Sequence, residues 1–85
     1  MDNKPVSILL VDDEKDFLEP IDLLLKSRGY DVKTLTNGRD AVDWVKENPC
    51  DIIFLDINMP VMDGIEALKE IRGFNKSLPV IMVTA

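Results

Sequence analysis

The stretch Cys50-Asp51-Ile52-Ile53-Phe54-Leu55-Asp56-Ile57-Asn58-Met59-Pro60-Val61-Met62-Asp63-Gly64 decides how this chain folds. Ile52 to Leu55 is an unbroken apolar run, bulky, β-branched and aromatic, with Pro49 before it and a loop after it. That length and content read as a strand, Asp51 to Leu55, buried on both faces. Asp56 stands at the strand's C-terminal end, and Met59, Pro60 and Gly64 read as shaping the loop that leads to the next helix. A carboxylate in that place is either solvated or held by a cation or a donor, because burying it unpaired is too costly. Alone, Asp56 is the first residue of a loop. Its meaning depends on what the rest of the chain brings beside it.

Working outward, Val6 to Val11 is a second buried strand, ended abruptly by Asp12, Asp13 and Glu14. From Glu14 to Arg28, Phe17, Leu18, Ile21, Leu24 and Leu25 recur at helical spacing. Asp13 and Glu14 suit the positive end of that helix and Gly29 its C-terminal stop, while Pro20 removes one hydrogen bond and predicts a kink. Tyr30 to Leu35 mixes polar and apolar residues as an edge strand does, and Thr36-Asn37-Gly38 signals a turn. Arg39 to Asn48 is a short helix with Ala41, Val42, Trp44 and Val45 inward, closed by Pro49. Gly64 to Gly73 is a third helix with Ile65, Leu68 and Ile71 inward and Glu66, Lys69, Glu70 and Arg72 as a solvated charged face. Pro79 to Val83 is a fourth strand, followed by Thr84 and Ala85.

This alternation of strands and helices predicts one α/β domain with a parallel sheet. Strands one and three are the most apolar and belong at the centre, and the polar strand two belongs at an edge, giving the order 2-1-3-4. The chain path reverses between strands one and three, which is where such sheets bind ligands at their carboxyl ends. Asp12 and Asp13 end strand one and Asp56 ends strand three, so three carboxylates should share one crevice. A divalent cation relieves their repulsion best, and a few carboxylates with room for water suit Mg²⁺.

Composition narrows the function. The 85 residues allow a single domain, and the chain is 46% hydrophobic and 31% charged, as soluble globular chains are. A net charge of −6 argues against nucleic acid or an anionic membrane surface as a direct partner. No apolar run is long enough to span a bilayer, and the start lacks the features of a signal peptide. With one Cys and no His, an internal disulfide, zinc chemistry and Cys/His nucleophiles drop out, and Cys50 reads as a buried small side chain in a reducing cytoplasm.

Val-Asp-Asp-Glu after strand one, Asp-Ile-Asn-Met-Pro-Val-Met-Asp-Gly after strand three and Thr-Ala after strand four resemble the receiver domain of two-component response regulators. The resemblance covers the whole chain and implies a flavodoxin-like, three-layer fold with the same sheet order. It implies that Asp56 accepts a phosphoryl group from the phosphohistidine of a sensor histidine kinase. Asp13 would be the chief carboxylate for Mg²⁺, with Asp12 acting through water and Asn58 offering its backbone carbonyl. Thr84 would contact a phosphoryl oxygen and move inward on phosphorylation, and the small Ala85 would leave room for the group. Such a domain assists its own phosphoryl transfer without being an enzyme in the ordinary sense.

Taken alone, Asp12 and Asp13 would be N-cap and first-turn acids of helix one, a view that their convergence with Asp56 reverses; Thr84 alone would be a β-branched residue ending a strand. Complete receivers continue with a helix, a strand and a further helix, and that region carries an essential Lys. Residues 1–85 therefore read as a single incomplete receiver domain that labels on the order of 10²–10³ more slowly than a complete one. The alternative is a phosphorylation-impaired module that associates with itself. Helix one should cover strands two and one only, leaving alternate residues of Ile52 to Leu55 and Val80 to Val83 bare beside an unpaired edge, so a symmetric dimer is expected. A metal-dependent phosphatase with an aspartyl nucleophile fits less well, because the acidic pair lacks Asp-x-Asp spacing.

Overall fold

A computed structural model describes residues 4–83. Seven elements follow one another: β1 (Ser7–Val11), α1 (Lys15–Ser27), β2 (Asp31–Leu35), α2 (Gly38–Glu47), β3 (Ile52–Asp56), α3 (Gly64–Phe74) and β4 (Val80–Val83). The four strands form one parallel sheet in the order β2-β1-β3-β4, as polarity predicts. Every element lies within two residues of its expected bounds.

Period-two alternation sorts the sheet into two faces. Leu9, Val11, Ile53 and Leu55 pack under α2 and α3 against Ala41, Val42, Val45, Ala67 and Ile71, and the loop methionines Met59 and Met62 are buried in the same cluster. On the other face Ile8, Leu10 and Val32 pack against Leu18 of α1, with Ile21, Leu25, Ile52 and Phe54 half covered. The first cluster is much the larger because two helices close it. Among the described residues α1 alone closes the second, and Ile81 of β4, the last described strand, is 44% exposed.

Two helical stripes are narrower than the periodicity suggests. In α1 the inward set is Leu18, Ile21 and Leu25, whereas Phe17 and Leu24 are largely exposed, because α1 lies mainly over β1 and β2. In α3 Ala67, Leu68 and Ile71 face inward beside Gly64, and Ile65, one residue out of that frame, is 48% exposed instead of buried. Trp44 and Cys50 are only partly buried at the margin of the larger cluster. α1 runs unbroken from Lys15 to Ser27 through Pro20, and Gly29 adopts φ 93° just past its end, the left-handed stop expected there. Glu70 does not stay within its own helix face: its Oε2 lies 2.6 Å from Arg39 Nη2, tying α3 to the start of α2.

Side-chain caps start α2 and α3. Asn37 accepts the Asp40 N–H at 2.8 Å, and Asp63 accepts the Glu66 N–H at 2.9 Å. Between Asp56 and Asp63 the loop makes one strained turn. The Met62 N–H donates to the Pro60 carbonyl at 2.8 Å, which bends the chain at Val61 to φ 70°. A γ-turn of positive φ is rare, and a β-branched residue tolerates it poorly. Val61 is also 93% exposed, so no burial offsets the strain.

Val61→Asn therefore raises folding stability by about 1 kcal/mol, since asparagine accepts positive φ more readily. Urea denaturation checks this; an unchanged or lower midpoint contradicts it.

Candidate functional site

The sheet's own register builds the site. β1 and β3 run parallel with Val11 opposite Leu55, so the residues that follow, Asp12 and Asp56, emerge side by side at the carboxyl ends of the two central strands. Asp56 remains in β3, paired with Val83 of β4, and its neighbour Ile57 donates its N–H to the Val83 carbonyl at 3.0 Å. Asp12 is anchored from the other side, its N–H donating to the Leu35 carbonyl of β2 at 3.1 Å. The backbone thus holds both positions before any side chain acts.

Asp12, Asp13 and Asp56 each bring a carboxylate oxygen within 4.8 Å of the others. Their settings differ: Asp56 is buried at 9% exposure, Asp12 is half-buried and Asp13 is exposed. The Asn58 N–H donates to Asp56 Oδ1 at 3.1 Å and fixes the orientation of that carboxylate. Asp12 Oδ1 accepts the Glu14 N–H at 2.9 Å, closing a small turn ahead of α1. Glu14, not Asp12 or Asp13, occupies the N-cap position, and it makes no side-chain capping bond. Burial lifts the Asp12 carboxyl above its ordinary value; the Glu14 N–H pulls it down, and the charges of Asp56 and Asp13 push it up again.

Three like charges gathered this closely, one of them buried, form an oxygen-only donor set suited to a hard divalent cation. Asp12, Asp13 and Asp56 were expected to meet, and they do; Asn58 lies beside them. Thr84 and Ala85 lie outside the described residues. Sequence reasoning missed the anchorage of the loop around Asp56. Met59 and Met62 are core residues, and Arg39 of α2 touches both Glu70 Oε2 and, at 3.8 Å, Met62 Sδ. Gly64 lies so close to the Asp56 carbonyl oxygen that a Cβ there would fall well inside 3.0 Å. The Asp-x-x-Glu spacing of Asp63 and Glu66 was a legible sign that the loop ends in a capped helix.

Asp12→Asn relieves the repulsion while keeping the oxygen that accepts the Glu14 N–H. In metal-free buffer it raises folding stability by a few tenths to about 1 kcal/mol. A lower urea midpoint for the variant would show that the carboxylates do not repel one another in the folded chain.

Comparison with known proteins follows the same lines. The family model described as "Response regulator receiver domain" matches residues 8–85. The transcriptional regulatory protein ZraR of Klebsiella oxytoca is 44% identical over all 85 residues, which span 19% of its own length. Among solved structures, the receiver domain of the sensor histidine kinase PA1611 from Pseudomonas aeruginosa PAO1 superposes with a TM-score of 0.90 at 35% identity, covering 95% of this chain and 68% of that one. It carries a magnesium ion coordinated in its active-site cleft. The response regulator TrrA of Thermotoga maritima, solved with Mg²⁺-BeF, gives a TM-score of 0.88 at 36% identity, covering 94% of this chain and 70% of that one. TrrA has also been solved in complex with the histidine kinase ThkA. Sequence match, sheet order and superposition agree, and the chain belongs to the response regulator receiver domain family.

Proposed function

We propose that this chain is a cytoplasmic phosphoacceptor switch of a two-component system, taking a phosphoryl group on Asp56 from the phosphohistidine of a sensor histidine kinase. The observation that carries the reading is the meeting of Asp12, Asp13 and Asp56 at the carboxyl ends of β1 and β3, with Asp56 the buried member. Asp56 Oδ1 accepts the Asn58 N–H, so Oδ2 is assigned to attack phosphorus. A P–O bond forms as the P–N bond to the donor imidazole breaks, and the released ring nitrogen takes up a proton. The buried setting of Asp56 holds its carboxylate in one orientation for in-line attack, which is most of what phosphoryl transfer asks of a protein.

Asp13 and Asp56 would hold Mg²⁺, with Asp12 reaching it through water and Asn58 through its backbone carbonyl. Bound there, the ion neutralises charge on the transferring group. Thr84 and Ala85 keep the roles that the family resemblance implies, contact with a phosphoryl oxygen and space for the group. By aligning nucleophile and charge, the chain assists its own phosphorylation.

A second reading concerns the 85-residue chain on its own. Between α1 and the β3–β4 side of the sheet runs an apolar groove of about 260 Å³, lined by Phe17, Leu18, Ile21, Leu25, Phe54 and Val83 among others. Beside it, the outer edge of β4 pairs with no other strand among the described residues. An apolar face next to an open strand edge favours pairing, and we propose that two copies of this chain bury it as a symmetric dimer.

Incubated with Mg²⁺ and a small phosphodonor, the chain gains the mass of one phosphoryl group, and Asp56→Asn does not; labelling that survives the substitution assigns the acceptor elsewhere. Sedimentation at tens of micromolar, roughly the range in which weak partners separate, shows a dimer. A clean monomer would overturn the pairing.

A further inference from the structure

Gly64 is the first residue of α3, and it is buried against the strand that carries Asp56. A Cβ at this position would collide with the Asp56 carbonyl oxygen, would lie 2.9 Å from the Asp56 carbonyl carbon and 3.0 Å from Ile57 Cα. All three atoms are backbone, so no side chain can swing aside to admit a methyl group. The Gly64 N–H also donates to the Ile57 carbonyl at 3.0 Å, closing the loop on itself. α3 begins in direct contact with the peptide that joins Asp56 to Ile57, the peptide just before the Asn58 N–H that orients the Asp56 carboxylate.

We propose that Gly64 is a positioning residue for Asp56: its missing side chain lets the first turn of α3 seat on the Asp56–Ile57 peptide and so sets where the carboxylate points. The inference rests on the reading of Asp56 as phosphoacceptor and adds the residue that fixes its aim. Gly64 is not needed for backbone freedom, because its φ is not positive; it is needed for space. Gly73, near the other end of the same helix, meets nothing within 4 Å where its Cβ would be, which makes it an internal control. Helix propensity alone predicts that alanine is favourable at both positions. Only the contact with Asp56 separates them.

The test compares Gly64→Ala with Gly73→Ala in the 85-residue chain. Mg²⁺ affinity is read from amide shifts of residues 12, 13 and 56–58, and labelling with a small phosphodonor is expressed per folded molecule. To admit the methyl, the Asp56–Ile57 peptide must retreat by roughly 1 Å, a displacement that costs up to about a hundredfold in rate when it misaligns a reacting group. Gly64→Ala is expected to slow labelling tenfold to a hundredfold and to weaken Mg²⁺ binding, with Gly73→Ala matching the parent chain in both. If Gly64→Ala is too unstable alone, the same measurements are made in trimethylamine oxide, which favours the folded chain.

Parent-like Mg²⁺ affinity and labelling per folded molecule in Gly64→Ala overturn the proposal and leave Gly64 a purely structural residue. Should the parent chain bind Mg²⁺ but label nowhere, or label after Asp56→Asn, the phosphoacceptor reading fails. The Mg²⁺ shifts then decide the role of Gly64 by themselves. A parent chain that neither binds Mg²⁺ nor labels overturns both.

Discussion

Three carboxylates held within 4.8 Å of one another are an arrangement that a chain adopts only when the rest of its structure enforces it. At Asp12, Asp13 and Asp56 the enforcement is parallel pairing of the two central strands. β1 and β3 are bonded along their lengths, and the same register that packs Leu9, Val11, Ile53 and Leu55 into the larger core delivers Asp12 and Asp56 to adjacent strand ends. Slipping the register by one residue would separate the carboxylates and turn the apolar side chains to the wrong faces. Core and site are therefore set by one constraint. The repulsion they impose is left for a cation or an incoming group to relieve.

The β3–α3 loop translates that constraint into an oriented nucleophile. Met59 and Met62 sink into the core, Asp63 caps α3, and the Asn58 N–H holds one oxygen of Asp56. Glycines admit close approach on two sides: Gly64 against the Asp56 carbonyl, and Gly38 against the carbonyl and side chain of Met62. Arg39 adds a clip from α2 to Met62 and Glu70. A loop anchored at so many points stores strain at its exposed tip, where Val61 takes a positive φ. Rigid support beneath a strained tip is a common way to hold a reactive side chain still.

Much of this was legible in the sequence, for reasons that can be named. The mostly apolar run Val6–Val11 and the unbroken one Ile52–Leu55 mark central parallel strands, and the polar mixture of β2 marks an edge. Parallel strands then place the acids that follow them at one end of the sheet, so the triad could be read before any coordinates. What escaped depends on contacts between elements. Ile65, Phe17 and Leu24 lie at the margins of helical stripes, and only the extent of the surface opposite decides whether such positions are covered. The Arg39–Glu70 pair joins residues 31 apart, which no helical spacing rule links. The need for glycine at position 64 comes from a peptide on another element, and the positive φ of Val61 runs against its local preference.

The central claim is that the triad is one site in which Asp56 receives the phosphoryl group and the neighbouring acids hold the cation. A crystal structure of the chain grown with Mg²⁺ and beryllium fluoride tests it most directly, because fluoroberyllate stands in for a phosphoryl group on a carboxylate. The account predicts fluoroberyllate bonded to Asp56, with the metal between Asp13 and Asp56. An Asp56 left bare under those conditions, or a metal bound away from all three carboxylates, would contradict it.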